Sequence, residues 1–264
     1  MNALKRNNVH VVGRGQTTLL FVNGFGCDQT IWRYMLPALS EHYSMVLFDH
    51  VGAGLSDATT YNPSKYASLH GYAQDLLEIC EELDLHEVTL VGHSVGAMIG
   101  ALAAIGAPAR FRRLLLLCPS PCYLNEAGYH GGFDRADIES MLSFMERDFS
   151  EWADSFVPLI MGNPDRPSLS DELILSFCRN DLTIARQFAR VTFLSDNRSD
   201  LARLRTPCLL LQCAEDLIAP LEVGAYLHTS LPGSTLVTLP VSGHCPHVSA
   251  PRETLAAMEA YMEA

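Results

Sequence analysis

Gly92-His93-Ser94-Val95-Gly96 is the strongest chemical signal in the chain. A serine flanked two residues away on each side by glycine can occupy a sharp strand-to-helix turn that presents its hydroxyl for attack. A hydroxyl alone is a weak nucleophile; it needs a base, and the base needs an orienting acid. Far downstream, Glu215-Asp216 and Ser242-Gly243-His244 each follow an apolar run. The chain order serine, acid, histidine is one in which such a triad occurs. Asp216 is the favoured acid, with Glu215 as competitor. His244 is the favoured base because it follows the flexible Ser242-Gly243 pair. His247 competes with it, at the start of the last helix, where a histidine is commonly structural. His42, His70 and His86 read as surface residues. The chemistry these residues suit is acyl transfer.

Acyl transfer also needs donors for the developing oxyanion. The N–H of Val95, at the start of the helix after the serine, is one candidate. Asn23-Gly24-Phe25-Gly26 follows an early apolar run and offers the N–H of Phe25 as the second. The plainer alternative is an ordinary glycine turn. Gly52-Ala53-Gly54 also follows a strand and an aspartate, as a dinucleotide-binding loop would. No G-x-G-x-x-G is completed and no helix opens directly after it, so it reads as a tight surface turn.

These residues need a scaffold. Leu19–Val22, Met45–Phe48, Val88–Val91, Leu114–Leu117, Leu209–Leu211 and Thr235–Leu239 are short apolar runs suited to strands buried on both faces of a mostly parallel sheet. Between them, Pro63–Leu83 carries apolar residues at helical spacing, and Val95–Ile105 is small and apolar throughout. This alternation indicates an α/β architecture. The rhythm breaks between Cys122 and Ser195, where helical stretches near 134–147, 149–162, 169–180 and 182–194 follow one another, punctuated by Pro158, Gly162-Asn163-Pro164 and Pro167. The economical reading is a core of 1–121 and 196–264 with a helical insertion at 122–195.

Composition bounds the partners. Of 264 residues, 48% are hydrophobic and 18% charged, a balance for a packed core. A net charge of -12 disfavours nucleic acid and anionic membrane surfaces, both of which call for a basic face. No run is long enough for a membrane span or signal peptide, so a cytoplasmic location is expected. The eight cysteines then read as reduced thiols. No C-x-x-C pair suggests zinc, and neither metal nor cofactor is expected.

The runs GFGCDQTIW, FDHVGAGLSD, GYAQDLLEICEELDL, VGHSVGAMIG, PSPCYLN, GGF, ARQFA and GHCPH resemble the bacterial stress-response regulator RsbQ and, more distantly, the plant strigolactone and karrikin receptors. The resemblance extends over nearly the whole chain. It implies an α/β-hydrolase fold with a V-shaped four-helix cap, and a triad on Ser94, Asp216 and His244. It also implies oxyanion donors on Phe25 and Val95, and a pocket of Phe25, Tyr123, Phe133, Trp152, Phe156, Phe193 and Ile218. Without it, most of those aromatics would be ordinary core residues. Asn23 departs from the histidine many relatives carry before Gly-Phe-Gly, which puts the side-chain support of that loop in question. The implied activity is hydrolysis of a small hydrophobic ester, lactone or butenolide-like compound, in an RsbQ-like signalling role. The alternative is a ligand-binding signalling protein with slow turnover, acting through a partner such as a PAS-domain protein.

Overall fold

A computed structural model describes residues 2–263. Strands β1 (His10–Gly13), β2 (Thr17–Val22), β3 (Tyr43–Leu47), β4 (Val88–His93), β5 (Phe111–Leu117), β6 (Cys208–Glu215) and β7 (Ser234–Ser242) form one sheet in the order β1-β3-β2-β4-β5-β6-β7. β1 is antiparallel to β3, and every other neighbouring pair is parallel. All of β4 is buried, and so are the last four residues of β2 and of β5, as continuous apolar runs require. β1 has no counterpart among the apolar runs. It is an edge strand with all four residues exposed, so burial imposes no pattern on it. β7 is longer than its apolar stretch and only partly buried, for the same reason at the opposite edge.

Helix α1 (Leu69–Glu82) starts later than the Pro63–Leu83 pattern suggests. A 3-10 turn at Lys65–Ala67 and an extended Ser68 precede it. That turn folds onto the first turn of the helix so closely that a Cβ at Gly71 would lie 1.9 Å from the Lys65 carbonyl oxygen. α2 (Val95–Gly106) is rich in Gly and Ala because it presses on the sheet. A Cβ at Gly96 would lie 2.4 Å from the Asn23 carbonyl oxygen, and one at Gly100 would lie 2.5 Å from Leu90.

Between β5 and β6 stand α3 (Arg135–Arg147), α4 (Phe149–Met161), α5 (Pro167–Cys178) and α6 (Leu182–Phe193). Asp134, Asp148 and Asp181 cap the starts of α3, α4 and α6, and Gly162 ends α4 in the left-handed conformation. Pro167 opens α5 rather than separating it from its neighbour, because a first-turn proline lacks only an N–H that would be unpaired. The two ends of the insertion meet where Cys122 bridges Asp196 and the Asn197 N–H donates to the Pro121 carbonyl.

The inserted helices lie over loops at the C-terminal edge of the sheet. Phe177 packs where a Cβ of Gly26 would be, and Ile184 where a Cβ of Gly52 would be. The Gly52-Ala53-Gly54 turn is therefore not on the surface: Gly52 and Ala53 are buried under α6. After β6 come α7 (Leu221–Ser230) and α8 (Pro251–Glu263). Among the described residues no helix is long and apolar enough to cross a membrane.

The strand order places the site. From β2 the chain crosses to β3 on one side and then returns to β4 on the other. Loops leaving β2 and β4 therefore diverge and open a crevice at their carboxyl ends, the usual ligand position in such sheets. Val22 is in register with Gly92, so Asn23 and His93 emerge side by side. Gly96→Ala should force α2 off β2 at a cost of about 1–3 kcal/mol, lowering Tm by roughly 2–10 °C. Calorimetry checks this, and an unchanged Tm would contradict the close approach.

Candidate active site

Ser94 has φ 55° and ψ −125°, a backbone state that a residue with a side chain rarely adopts. Its N–H donates to the Leu117 carbonyl at 2.8 Å, and its own carbonyl accepts from the Ala97 N–H at 2.9 Å. Gly92 is obligatory in this turn, because a Cβ there would lie 2.7 Å from Ala97 Cα. The serine hydroxyl is not open to solvent as an exposed turn would leave it: Ser94 is only 6% exposed.

Ser94 Oγ donates to His244 Nε2 at 2.7 Å, and His244 Nδ1–H donates to Asp216 Oδ2 at 2.7 Å. Asp216 Oδ1 accepts from the N–H groups of Ile218 (2.8 Å) and Ala219 (3.2 Å), which fixes the carboxylate. Burial pushes the Asp216 carboxyl upward, but the His244 contact and those N–H groups outweigh it and hold it below its ordinary range. Glu215 is exposed and accepts from Ser242 Oγ at 2.6 Å, so it braces the histidine loop instead of reaching the ring.

The Ser242-Gly243 pair is not flexible. Gly243 has φ +92°, and a Cβ there would lie 1.9 Å from the Met161 carbonyl oxygen. Its N–H donates to Glu215 O at 2.7 Å, and the His244 N–H donates to Ile160 O at 2.8 Å. The end of α4 therefore clamps the loop that carries His244. His247 is fully buried between Trp32 and His93, at ring distances of 4.5 and 4.4 Å, and neither of its nitrogens has a partner. His93 Nε2–H donates to the His244 carbonyl at 2.8 Å.

Among the described residues no acceptor pairs with the N–H of Phe25 or of Val95, the two expected oxyanion donors. Gly24 lets the loop lie against His93; a Cβ there would be 2.5 Å from His93 Nδ1. Asn23 supports the loop fully. Its Nδ2 donates to Phe48 O at 2.8 Å, its Oδ1 accepts from Trp32 Nε1 at 2.7 Å, and its carbonyl accepts from His50 Nε2–H at 3.1 Å.

Ser94 and His244 face a small, mostly apolar cavity of about 30 Å³. Phe25, Tyr123, Phe193 and Ile218 line it, and Phe133, Trp152 and Phe156 do not. Trp152 stands behind Phe25 at a ring distance of 6.4 Å, and the Phe156 ring lies tilted against Trp152 at 5.5 Å, one layer further out. Phe133 is half-buried and paired through its backbone with Tyr123 and Asn125. The wall is completed by Cys27, His93, Ile160, Leu173, Phe177, Thr192 and Cys245. Leu173 and Phe177 are one helical turn apart on the buried face of α5, a spacing that could have marked them. The Tyr123 hydroxyl is buried against Ser94 without a partner of hydrogen-bonding geometry, and burial raises its pKa.

Cys118, Asp216 and His244 bring three possible metal donors within 4.8 Å of one another. They make a poor metal site. Asp216 and His244 already bind each other, and the Cys118 thiol contacts Cys213 at 3.6 Å. That contact and burial hold Cys118 protonated.

The chain belongs to the alpha/beta hydrolase family, whose model matches residues 19–258. It is 36% identical to the karrikin insensitive 2 receptor IA of Petunia hybrida over 257 residues, 97% of this chain and 94% of that protein. It is 38% identical to the strigolactone esterase D14 of Arabidopsis thaliana over 253 residues, 96% and 94% of the two chains. Among solved structures, olei00960, a hydrolase from Oleispira antarctica, is 39% identical with a TM-score of 0.96, covering 99% of this chain and 96% of that one.

Two predictions follow from the geometry. Asp216→Asn should lower kcat for ester hydrolysis by about 10⁴-fold, whereas Glu215→Gln should cost less than about tenfold. The reverse ranking in steady-state assays would reassign the acid. The second concerns acid stability. Burial lowers the pKa of His93 to about 3 and also lowers those of His50 and His247. Each is neutral when folded and protonates near pH ~6.5 when unfolded. The unfolded chain thus gains protons first, so stability is full above about pH 6.5 and falls as pH drops from there towards 3. His93 contributes about 1.4 kcal/mol per pH unit in that window, and His50 and His247 act in the same direction. Urea midpoints should fall steeply between pH 7 and 5, and less steeply in His93→Asn.

Proposed function

We propose that the protein is a serine hydrolase of small, mostly apolar esters or lactones. The observation that carries this reading is the unbroken run Ser94 Oγ, His244 Nε2, His244 Nδ1, Asp216 Oδ2, with both links at 2.7 Å, facing a cavity with two unpaired backbone N–H groups beside it. Ser94 Oγ attacks the acyl carbon while its proton passes to His244 Nε2. The carbonyl oxygen becomes an oxyanion held by the N–H groups of Phe25 and Val95. Collapse breaks the acyl–oxygen bond, and the alcohol leaves with the proton from His244. Water then attacks the acyl-serine by the same route, releasing the acid and restoring Ser94. Asp216 stays ionised throughout, holding the imidazole in one tautomer.

The apolar wall bears on specificity. A charged substrate loses hydration there without a partner, so neutral compounds are favoured. A free volume of about 30 Å³ is small beside an ordinary ligand pocket of roughly 300 Å³ or more. Binding anything but a short acyl group therefore requires the aromatic wall to give way. The names of the relatives, receptor and esterase, support a second reading. In it, slow turnover at the same site reports ligand occupancy to a partner protein, a PAS-domain protein by the RsbQ resemblance. A stoichiometric burst followed by slow product release would favour that role.

Ser94→Ala should lower turnover of p-nitrophenyl esters and butenolides by on the order of 10³-fold or more with little change in Tm. Activity within tenfold of wild type would overturn the assignment. With wild type, the chain-length profile from acetate to decanoate should favour short chains. Leu173→Ala should shift it towards longer ones by about tenfold in relative kcat/KM. Phe156→Ala, one layer behind the wall, should leave the profile nearly unchanged.

A further inference from the structure

On the far side of Phe25 lies a second, smaller cavity of about 10 Å³, under α6. Phe25 and Cys27 line both cavities, so the Phe25 ring is the partition between them. Val51, Ala53, Ile184, Ala185 and Phe188 make the second one mostly apolar, and its polar side chains are His50 and Asn180, whose amide already donates to the Gly26, Ser176 and Phe177 carbonyls. His50 is 1% exposed, and its ring packs edge-on against Phe48, Tyr72 and Phe188 at 5.4–5.7 Å. Its Nε2 faces the Asn23 carbonyl at 3.1 Å. A carbonyl can only accept, so Nε2 carries the proton. Burial lowers the pKa of the ring, which keeps it neutral. Nδ1 is therefore a bare lone pair, buried and without a donor. A buried acceptor left unmatched is costly, and natural cores seldom keep one without a use.

The position of this cavity says which part of a substrate would enter it. The leaving oxygen must take its proton from His244 Nε2, so the alcohol side lies in the first cavity, which His244 lines. His244 does not line the second. With the carbonyl oxygen held at the Phe25 N–H, the acyl chain is the part that can extend past the Phe25 ring.

We propose that the second cavity is an acyl subsite selecting short acyl groups that carry a hydroxyl, which donates its hydrogen bond to His50 Nδ1. This rests on the hydrolase reading above. The Phe25 ring turns aside to admit the chain, joining the two small cavities into one two-lobed chamber.

The test compares kcat/KM for p-nitrophenyl 3-hydroxybutyrate and p-nitrophenyl butyrate. Wild type should favour the hydroxy ester by roughly tenfold or more, because a site built to pair a hydroxyl discriminates against its absence. His50→Phe keeps the ring volume and loses both nitrogens. It should slow both esters together through the loosened Asn23 loop and bring their ratio close to one. Ala185→Leu fills the cavity from α6 without touching His50 chemistry and should abolish the same preference, which covers the case in which His50→Phe misfolds. A merely structural histidine would alter both rates and leave the ratio alone. A wild-type ratio near one, or a preference surviving in the folded variants, overturns the proposal. Binding of methyl 3-hydroxybutyrate and methyl butyrate to Ser94→Ala separates the two readings. A tighter hydroxy ester there with no wild-type turnover removes the hydrolase and keeps the subsite, whereas equal binding removes the subsite whatever the turnover.

Discussion

Ser94 is held with φ 55° and ψ −125°, a conformation costing of order 1–3 kcal/mol, and much of the surrounding structure serves to keep it there. The turn can be this tight only because β4 and α2 meet almost in contact, Gly92 lying where any side chain would strike Ala97. α2 in turn can lie so low on the sheet only because Gly96 and Gly100 yield to the backbone of β2 and to Leu90. The Gly- and Ala-rich run from Val95 to Ala104 is thus as much a requirement of the Ser94 turn as of packing. Rigid seating of the serine also leaves the Val95 N–H unpaired and fixed in direction, which is what a pre-set oxyanion donor requires.

The inserted helices are joined to this arrangement at several points, and the joints are backbone contacts as well as side-chain ones. Ile160 O accepts from the His244 N–H, and Met161 O packs on Gly243. On the other side, Arg179 pairs with buried Asp28, and Ser176 Oγ accepts from the Asp28 N–H. Asp28 directly follows the loop that bears Phe25. The four helices are therefore not a loose cover. Moving α4 moves the His244 loop, and moving α5 moves the Phe25 loop. Widening the cavity and aligning Ser94, His244 and Asp216 are one mechanical problem. That coupling would suit either a hydrolase whose chemistry waits on closure or a sensor whose ligand is read through helix positions.

Much of this was legible in the sequence because it is carried by local signals. Strand-sized apolar runs, helical periodicity and the G-x-S-x-G turn all act over a few residues, and the family resemblance extends them to the insertion. The β1 edge strand escaped because exposed residues bear no burial pattern. The late start of α1 escaped because the preceding 3-10 turn continues the helical spacing of apolar residues. The sequence favours Asp216 over Glu215, but it does not show the two successive N–H groups aimed at Asp216 Oδ1, which depend on the turn at Ile218-Ala219. Ser242-Gly243 reads as flexible from composition, whereas the glycine is there to let Met161 approach.

The aromatic residues show where sequence reading runs out. Phe25, Tyr123 and Phe193 reach the cavity, and Trp152 and Phe156 stack outward behind them. All five are large and apolar, and nothing in their type or spacing separates the surface a ligand would touch from the layer that stiffens it. The distinction arises from how the inserted helices pack around Phe25, whose ring meets Trp152, Phe177, Phe188 and Phe193 edge-on at 5.4–6.4 Å. Edge-on contacts of this kind favour one ring orientation without locking it as a hydrogen bond would. The same ring lies next to an unpaired backbone N–H, divides two cavities and bears on three inserted helices. Its freedom to turn, set by those four neighbours, determines how much of the small enclosed volume a substrate can use.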